Sequence, residues 1–452
     1  MSKVDKFFKI SERGSNVSTE IRAGIVTFIT MAYILPVNSG MLASTGLDQG
    51  AVFMATALAA ALGTILMGLW AGLPLAQAPG MGLNAFFTYT VVFSMGFTPQ
   101  FALAAVLTEG VIFIILSLTG VRGKLLKALP KQLRIAISAG IGLFIVFIGL
   151  QNAGIIVGGA TLVEVSGSLR SPAVALAVIG IAITAVLWLR KVKGALLLGI
   201  LATWILGLIA QAVGWYQVNI DAGVYSLLPG GIVRAPPSLA PTLGLCFKGF
   251  EEAFATPASI GQFLLITVTF LYVDIFDTLG TFAGVMIKAK LADDDGNFPG
   301  VNAGFASDAI ATTAGAILGT STTTTFVESA AGVEEGGRTG LTAVVVAVLF
   351  LLAIPFYPII SAIPGFATAP ALIMVGLMMC ETLKDFDWGD PVYLIAGVIT
   401  MMFMVLGYSI SAGIAWGVIF YLIAKVAKGE GKTIHPVTWV IGILLFIKTF
   451  VM

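Results

Sequence analysis

The sequence predicts an all-α polytopic membrane protein of about fourteen transmembrane segments, built as a seven-plus-seven inverted repeat whose third and tenth segments are half-helices. Three observations predict it. Of 452 residues, 58% are hydrophobic and only 10% charged, and a mean hydropathy of +1.02 is more than the surface of a water-soluble domain of this size can carry. Apolar runs long enough to cross a bilayer recur from about Arg22 onward. Two of these runs, at matching places in the two halves, are broken by Gly, Pro and Thr.

Residues 1–20 are short, mixed in charge and without the apolar core of a cleavable signal, so they read as a cytoplasmic lead-in. Seven apolar runs follow, near 22–45, 50–70, 80–96, 99–119, 132–151, 171–190 and 194–213. A more polar stretch carrying Pro229, Pro236, Pro237 and Pro241 separates them from seven more, near 258–284, 302–318, 325–335, 339–360, 368–383, 391–407 and 409–427. A last run, 435–451, either spans the membrane or lies at its interface, with Lys448 inside it favouring the interface.

Loop charge sets the orientation. Lys3, Lys6, Lys9 and Arg13, then Arg122, Lys124, Lys127 and Lys131, then Arg190, Lys191 and Lys193, then Lys288 and Lys290, then Lys425, Lys428 and Lys432 all fall on one side. Loops of the other parity are poor in Lys and Arg apart from Arg234 and Lys248, which places the N-terminus in the cytoplasm of a cell-membrane protein. An odd number of crossings per half turns the second half upside down, the plan of inverted-repeat transporters.

The third run, Leu75–Phe87 (LAQAPGMGLNAFF), meets Pro79, Gly80 and Gly82 where a helix would need to continue. Its counterpart is Gly319–Gly332, GTSTTTTFVESAAG. Thr322–Thr325 are β-branched and favour extended backbone, whereas Phe326–Ala331 reads as the first turns of a helix. Irregular backbone at bilayer depth persists only when buried in protein or lining a cavity, and half-helix N-termini there carry partial positive charge.

Acidic residues at the same depth mark a functional site. Glu328 sits beside the interruption, with a structural tie to a neighbouring N–H as its other reading. Asp274 and Asp277 are three residues apart in one apolar run, a spacing that predicts a shared helical face. Each ionised carboxylate there costs at least about 2.5 kcal/mol on insertion scales, so the plain reading, that both simply face water, itself requires a water-filled cavity. Mutual repulsion among these acids makes a proton-loading site chemically reasonable. Asn84 offers a donor and an acceptor to a planar polar ligand, or glue between helices. Asp308 and Glu109 are further intramembrane acids that either meet the ligand or tie the half-helices to their scaffold. Glu334, Glu335 and Arg338, near the cytoplasmic face, read as a solvated cluster or a helix-end salt bridge.

Several classes are disfavoured. A net charge of +1 without a basic patch shows no nucleic-acid footprint. Cys246 and Cys380 are far apart and His435 is the single histidine, so neither a disulfide nor a metal site is expected. No nucleophile and base stand at a recognisable spacing, which disfavours an intramembrane enzyme.

The stretches Ala78–Phe87 (APGMGLNAFF), Val273–Thr281 (VDIFDTLGT), Thr320–Gly340 and Glu20–Asn38 resemble those of the nucleobase–cation symporter 2 (nucleobase–ascorbate transporter) superfamily, in its azaguanine-like branch of adenine/guanine/hypoxanthine purine permeases. The resemblance runs from about Glu20 to Gly429. It implies a core domain, 21–119 and 258–360, moving against a gate domain, 131–213 and 368–427, with 434–452 appended. It also implies that segments three and ten pair as short antiparallel strands, a homodimer in the lipid bilayer, and no cofactor beyond a proton gradient. Carried across, Asp274 contacts the base, Glu328 holds its polar edge and Asn84 faces it, while the N–H groups of Phe326 and Val327 add hydrogen bonds. Relatives of the uracil type have a histidine where this chain has Thr278, so Asp277, with Glu328, takes the proton-coupling role.

Purine chemistry agrees with that assignment. An ionised Glu328 accepts from N1–H of hypoxanthine and guanine, and from the exocyclic amine of guanine as well, whereas adenine lacks N1–H. Coupling to H⁺ or to Na⁺ stays open, and the competing reading on the same architecture is an anion transporter or exchanger, which clustered carboxylates disfavour.

Overall fold

Around Tyr33 the first apolar segment breaks into two helices, α1 (Val17–Met31) and α2 (Ile34–Ala43). Asn16 caps the first by accepting from the Thr19 N–H at 2.9 Å. The structure is a computed structural model, and it describes residues 3–119, 130–159, 162–166, 171–218, 224–291, 298–436, 438–439, 442–443 and 445–446. Among these, 10 helices are long and apolar enough to cross a membrane. Met81–Ser94 and Pro391–Leu406 are shorter apolar helices, and Val301–Leu318 carries Asn302 and Asp308 within its 18 residues. The 435–451 run with Lys448, and the basic residues Arg122, Lys124 and Lys127, lie largely outside the described residues.

Helix α3 (Gln49–Leu66) widens into a π-helical turn, Met67–Ala71, and stops at Gly72, whose φ of 67° is left-handed. Strand β1 (Gln77–Pro79) then leads into the short helix α4 (Met81–Ala85), continued by a π-helical stretch, Phe86–Ser94. The first half is completed by α5 (Pro99–Thr119), α6 (Lys131–Asn152), α7 (Pro172–Leu189) and α8 (Ala195–Ala212). Between α6 and α7, outside the apolar runs, β2 (Ile156–Gly158) pairs antiparallel with β3 (Val163–Val165). The second half opens with α9 (Leu245–Ala253), then α10 (Pro257–Lys288) and α11 (Val301–Leu318). Strand β4 (Thr323–Thr325) and the short helix α12 (Ser329–Glu334) follow. After them come α13 (Gly340–Ala353), α14 (Gly365–Cys380), α15 (Pro391–Leu406) and α16 (Ile410–Ala427).

Packing joins elements far apart in sequence. Helix α6 lies against α14 and α15, and α7 against α8 and α14, while α11 lies against α3 and α5 and α13 against α1 and α3. Small residues permit the closest approaches. A Cβ on Gly340 would fall on the Gly68 carbonyl oxygen, so the start of α13 and the end of α3 meet backbone to backbone.

After α12, Glu335 and Arg338 are each tied to their surroundings. Glu335 pairs with Arg22 at 3.2 Å and with Lys193, and the Arg338 guanidinium donates to the carbonyls of Val333 (2.5 Å) and Gly337 (2.8 Å). Glu20, buried at the start of α1, accepts from the N–H of Arg338 (2.9 Å) and the hydroxyl of Thr342 (2.6 Å). That carboxylate ties α1 to the start of α13.

Candidate functional site

Strands β1 and β4 pair antiparallel, Gln77 opposite Thr325, Ala78 opposite Thr324 and Pro79 opposite Thr323. The ladder runs one bond further at each end, from Gly80 N–H to Thr322 O (3.0 Å) and from Phe326 N–H to Ala76 O (2.9 Å). Threonines favour this extended backbone, and their hydroxyls then satisfy its polar groups away from water. Thr64 accepts from the Gln77 N–H at 2.9 Å, Thr312 donates to Thr323 O at 2.9 Å, and the Ser329 hydroxyl accepts from the Ala76 N–H at 3.0 Å. Close packing leaves no space at Gly63, where a Cβ would collide with Gln77 Oε1 and lie 2.6 Å from Ala311 Cβ.

Behind the ladder lies a buried acidic layer. Asp308 of α11 accepts from Gln77 Nε2 and Thr325 Oγ1 at its Oδ1 and from Thr278 Oγ1 at its Oδ2, each at 2.8 Å. Thr278 also meets Thr324 Oγ1 at 2.8 Å. Thus Asp308 and Thr278 knit α10, α11 and both strands together. Asp274 is 0% exposed, and its carboxyl stands against that of Glu109 from α5, which Thr322 Oγ1 approaches at 3.4 Å.

Before the ladder lies the half-open face. Glu328, at the first turn of α12, is partly exposed, and its Oε1 accepts from the Tyr33 hydroxyl at 2.7 Å. Asp277 is exposed and within electrostatic range of both. The Val327 side chain, next to Glu328, is 50% exposed.

These placements differ from the sequence expectations in three ways. Asp274 and Asp277 are adjacent on α10 but differ in exposure: the first is buried beside Glu109, and the second is exposed beside Glu328. The Phe326 N–H is already committed to Ala76 O, since the extended backbone runs one residue past β4 and the helix starts only at Ser329. The Val327 N–H lies beyond that last ladder bond. Asn84 is fully buried; its amide donates to Pro79 O at 3.3 Å and its carbonyl accepts from the Ser321 hydroxyl, so it braces one interrupted segment against the other.

Sequence reasoning missed Tyr33 and Gln77. Tyr33 lies in the stretch Glu20–Asn38, three residues before Pro36, and a polar aromatic at that break was the available signal. For Gln77, the signal was an amide within an otherwise apolar run.

A helical membrane protein whose two broken helices meet in a polar centre, with acids on both sides of the junction, defines a membrane transporter. A model of the "Permease family" (Xan_ur_permease) matches residues 18–416. The Guanine/hypoxanthine permease PbuG of Bacillus subtilis is 42% identical over 98% of this chain and 99% of its own. The Adenine permease AdeP of Escherichia coli is 38% identical over 98% and 95%. The chain therefore belongs to the permease family and is a multi-pass membrane transporter rather than an enzyme. Among solved structures, the transmembrane domain of a cyanobacterium bicarbonate transporter, BicA, matches with a TM-score of 0.58 at 16% identity, covering 88% of this chain and 97% of that one. That likeness extends the inverted-repeat fold to this chain and carries nothing about substrate.

Proposed function

We propose that this protein is a purine-base permease of the cell membrane that imports guanine and hypoxanthine, with adenine as a further substrate, by proton symport. Its fourteen segments cross as a seven-plus-seven repeat with the N-terminus in the cytoplasm, and it works as a homodimer. The core, 21–119 and 258–360, moves against the gate, 131–213 and 368–427. Helix packing supports that division, since α6, α7, α14 and α15 pack among themselves, as do α1, α3, α5, α11 and α13.

The observation that carries the reading is the pair of acids at the half-open face. Glu328, anchored by Tyr33, presents a carboxylate at the start of a half-helix, beside exposed Asp277. A neutral planar base with an N–H edge suits such an acceptor. Relatives named for guanine, hypoxanthine and adenine support the substrate class. In this reading Glu328 binds the base edge, the Val327 N–H adds a donor, and Asp277 loads the coupling proton. Asp274, Glu109, Asp308, Thr278 and Asn84 support the site from behind.

An anion carrier on the same fold is the second reading, favoured only by the bicarbonate transporter's shared architecture and opposed by acids that repel an anion. Uptake of labelled guanine, hypoxanthine, adenine and uracil into cells lacking their own carriers, with and without a protonophore, separates the two. Protonophore-sensitive purine uptake, lost in Glu328→Gln, is the expected result. No uptake of any base by an inserted protein would refute the assignment, and a driving Na⁺ gradient would refute the proton.

A further inference from the structure

Tyr33 is 1% exposed, yet it comes from a different membrane segment than the acid it touches, 295 positions away in sequence. It stands at the junction of α1 and α2, where the backbone stays right-handed helical while the regular bonding pattern is interrupted for two residues, within one 27-residue span, Val17–Ala43. The ring is also held by Phe326, with centroids 6.5 Å apart. Thr30, from the last turn of α1, approaches the Glu328 carbonyl oxygen at 3.5 Å. The Thr30 hydroxyl is given to Thr27 O at 2.7 Å, so the Tyr33 phenol is the contact from this segment that holds Glu328.

The terminal torsion of a glutamate is broad and roughly two-fold, so an unrestrained carboxylate rotates freely about it. A hydrogen bond from a buried phenol to one oxygen removes that freedom. A fixed carboxylate plane matters unequally to different ligands. Two parallel N–H donors must meet both oxygens in one plane, as in other fork-to-fork contacts. A single N–H can follow either oxygen as the group turns, so it loses little when the plane is released.

We propose that Tyr33 is a specificity-determining positioning residue: by holding Glu328 Oε1 it fixes the carboxylate plane, which favours a base presenting two adjacent N–H donors over one presenting a single N–H. Guanine, with N1–H and an exocyclic amine, is of the first kind, and hypoxanthine of the second. The proposal rests on the purine reading above and adds which contact sets the order of the bases.

The test compares the wild type with Tyr33→Phe, which keeps the ring against Phe326 and deletes only the donor. Initial uptake rates for guanine and hypoxanthine give KM and Vmax separately. The guanine KM is expected to rise about tenfold, the hypoxanthine KM less than about threefold, and Vmax to stay within about twofold. Equal rises for both bases, a fall in Vmax alone, or no change would overturn the role, since a purely structural tyrosine would not shift the ratio. Should the Phe variant fail to reach the membrane, Glu328→Asp draws the carboxylate back from the phenol. The guanine preference must then fall in the same direction, and an unmoved ratio overturns the proposal. A wild type that transports no purine removes the reading beneath it; purine uptake lost in Glu328→Gln with an unmoved ratio in Tyr33→Phe removes only the role of Tyr33.

Discussion

Gln77 and Asp308 are joined by a 2.8 Å hydrogen bond across 231 positions of sequence, which ties the strand before one half-helix to the helix that precedes the other. Thr325 and Thr278 bring two further donors to the same carboxylate. An acid read from sequence as either ligand contact or scaffold thus has every contact of a scaffold. It can be counted in energy.

Asp308→Ala removes the acceptor shared by three buried donors; Gln77 Nε2 keeps Thr325 Oγ1 at 3.2 Å and Thr278 keeps Thr324 Oγ1 at 2.8 Å, and each donor left unpaired costs about 1–3 kcal/mol. Asp308→Asn keeps the shape and one acceptor oxygen and strands fewer. Thermal unfolding in detergent should therefore rank wild type above Asn and Asn above Ala. An Ala variant as stable as wild type would show that these bonds are not made.

The two acids of α10 should differ in access to water. In a background with Cys246 and Cys380 replaced by Ser, Asp277→Cys should react with a membrane-impermeant thiol reagent at least about tenfold faster than Asp274→Cys, which needs local opening first. Equal rates would show that both are equally open to water.

Outside the membrane segments, Asp390 caps α15, accepting from the Val392 N–H at 3.0 Å and pairing with Lys428 at 3.4 Å. The Val392 N–H first, and then the Lys428 charge, hold its carboxyl below the ordinary aspartate range. A depressed folded-state value means that this stabilisation is complete above the unfolded aspartate range and is lost as pH falls through the lowered value. Asp390→Ala should cost about 1 kcal/mol at neutral pH, as for other helix caps, and the gap from wild type should close below about pH 3. A gap that persists in acid would assign the effect to packing.

The sequence by itself determined the membrane class, the order of the apolar segments and the place of both interruptions. Those properties are local: hydropathy is summed over a window, Pro79 and Gly80 stop a helix where they stand, and four threonines in a row prefer extended backbone. It also determined which residues demand a partner, because a carboxylate or an amide at bilayer depth must be satisfied. Only the tertiary structure decided who the partners are. Tyr33 meets Glu328, Gln77 meets Asp308, the Phe326 N–H is spent on Ala76, and Asp274 is buried where Asp277 is exposed. A hydrogen bond acts over about 3 Å, and which groups come that close depends on how segments from opposite halves of the chain pack, a quantity that no local window contains.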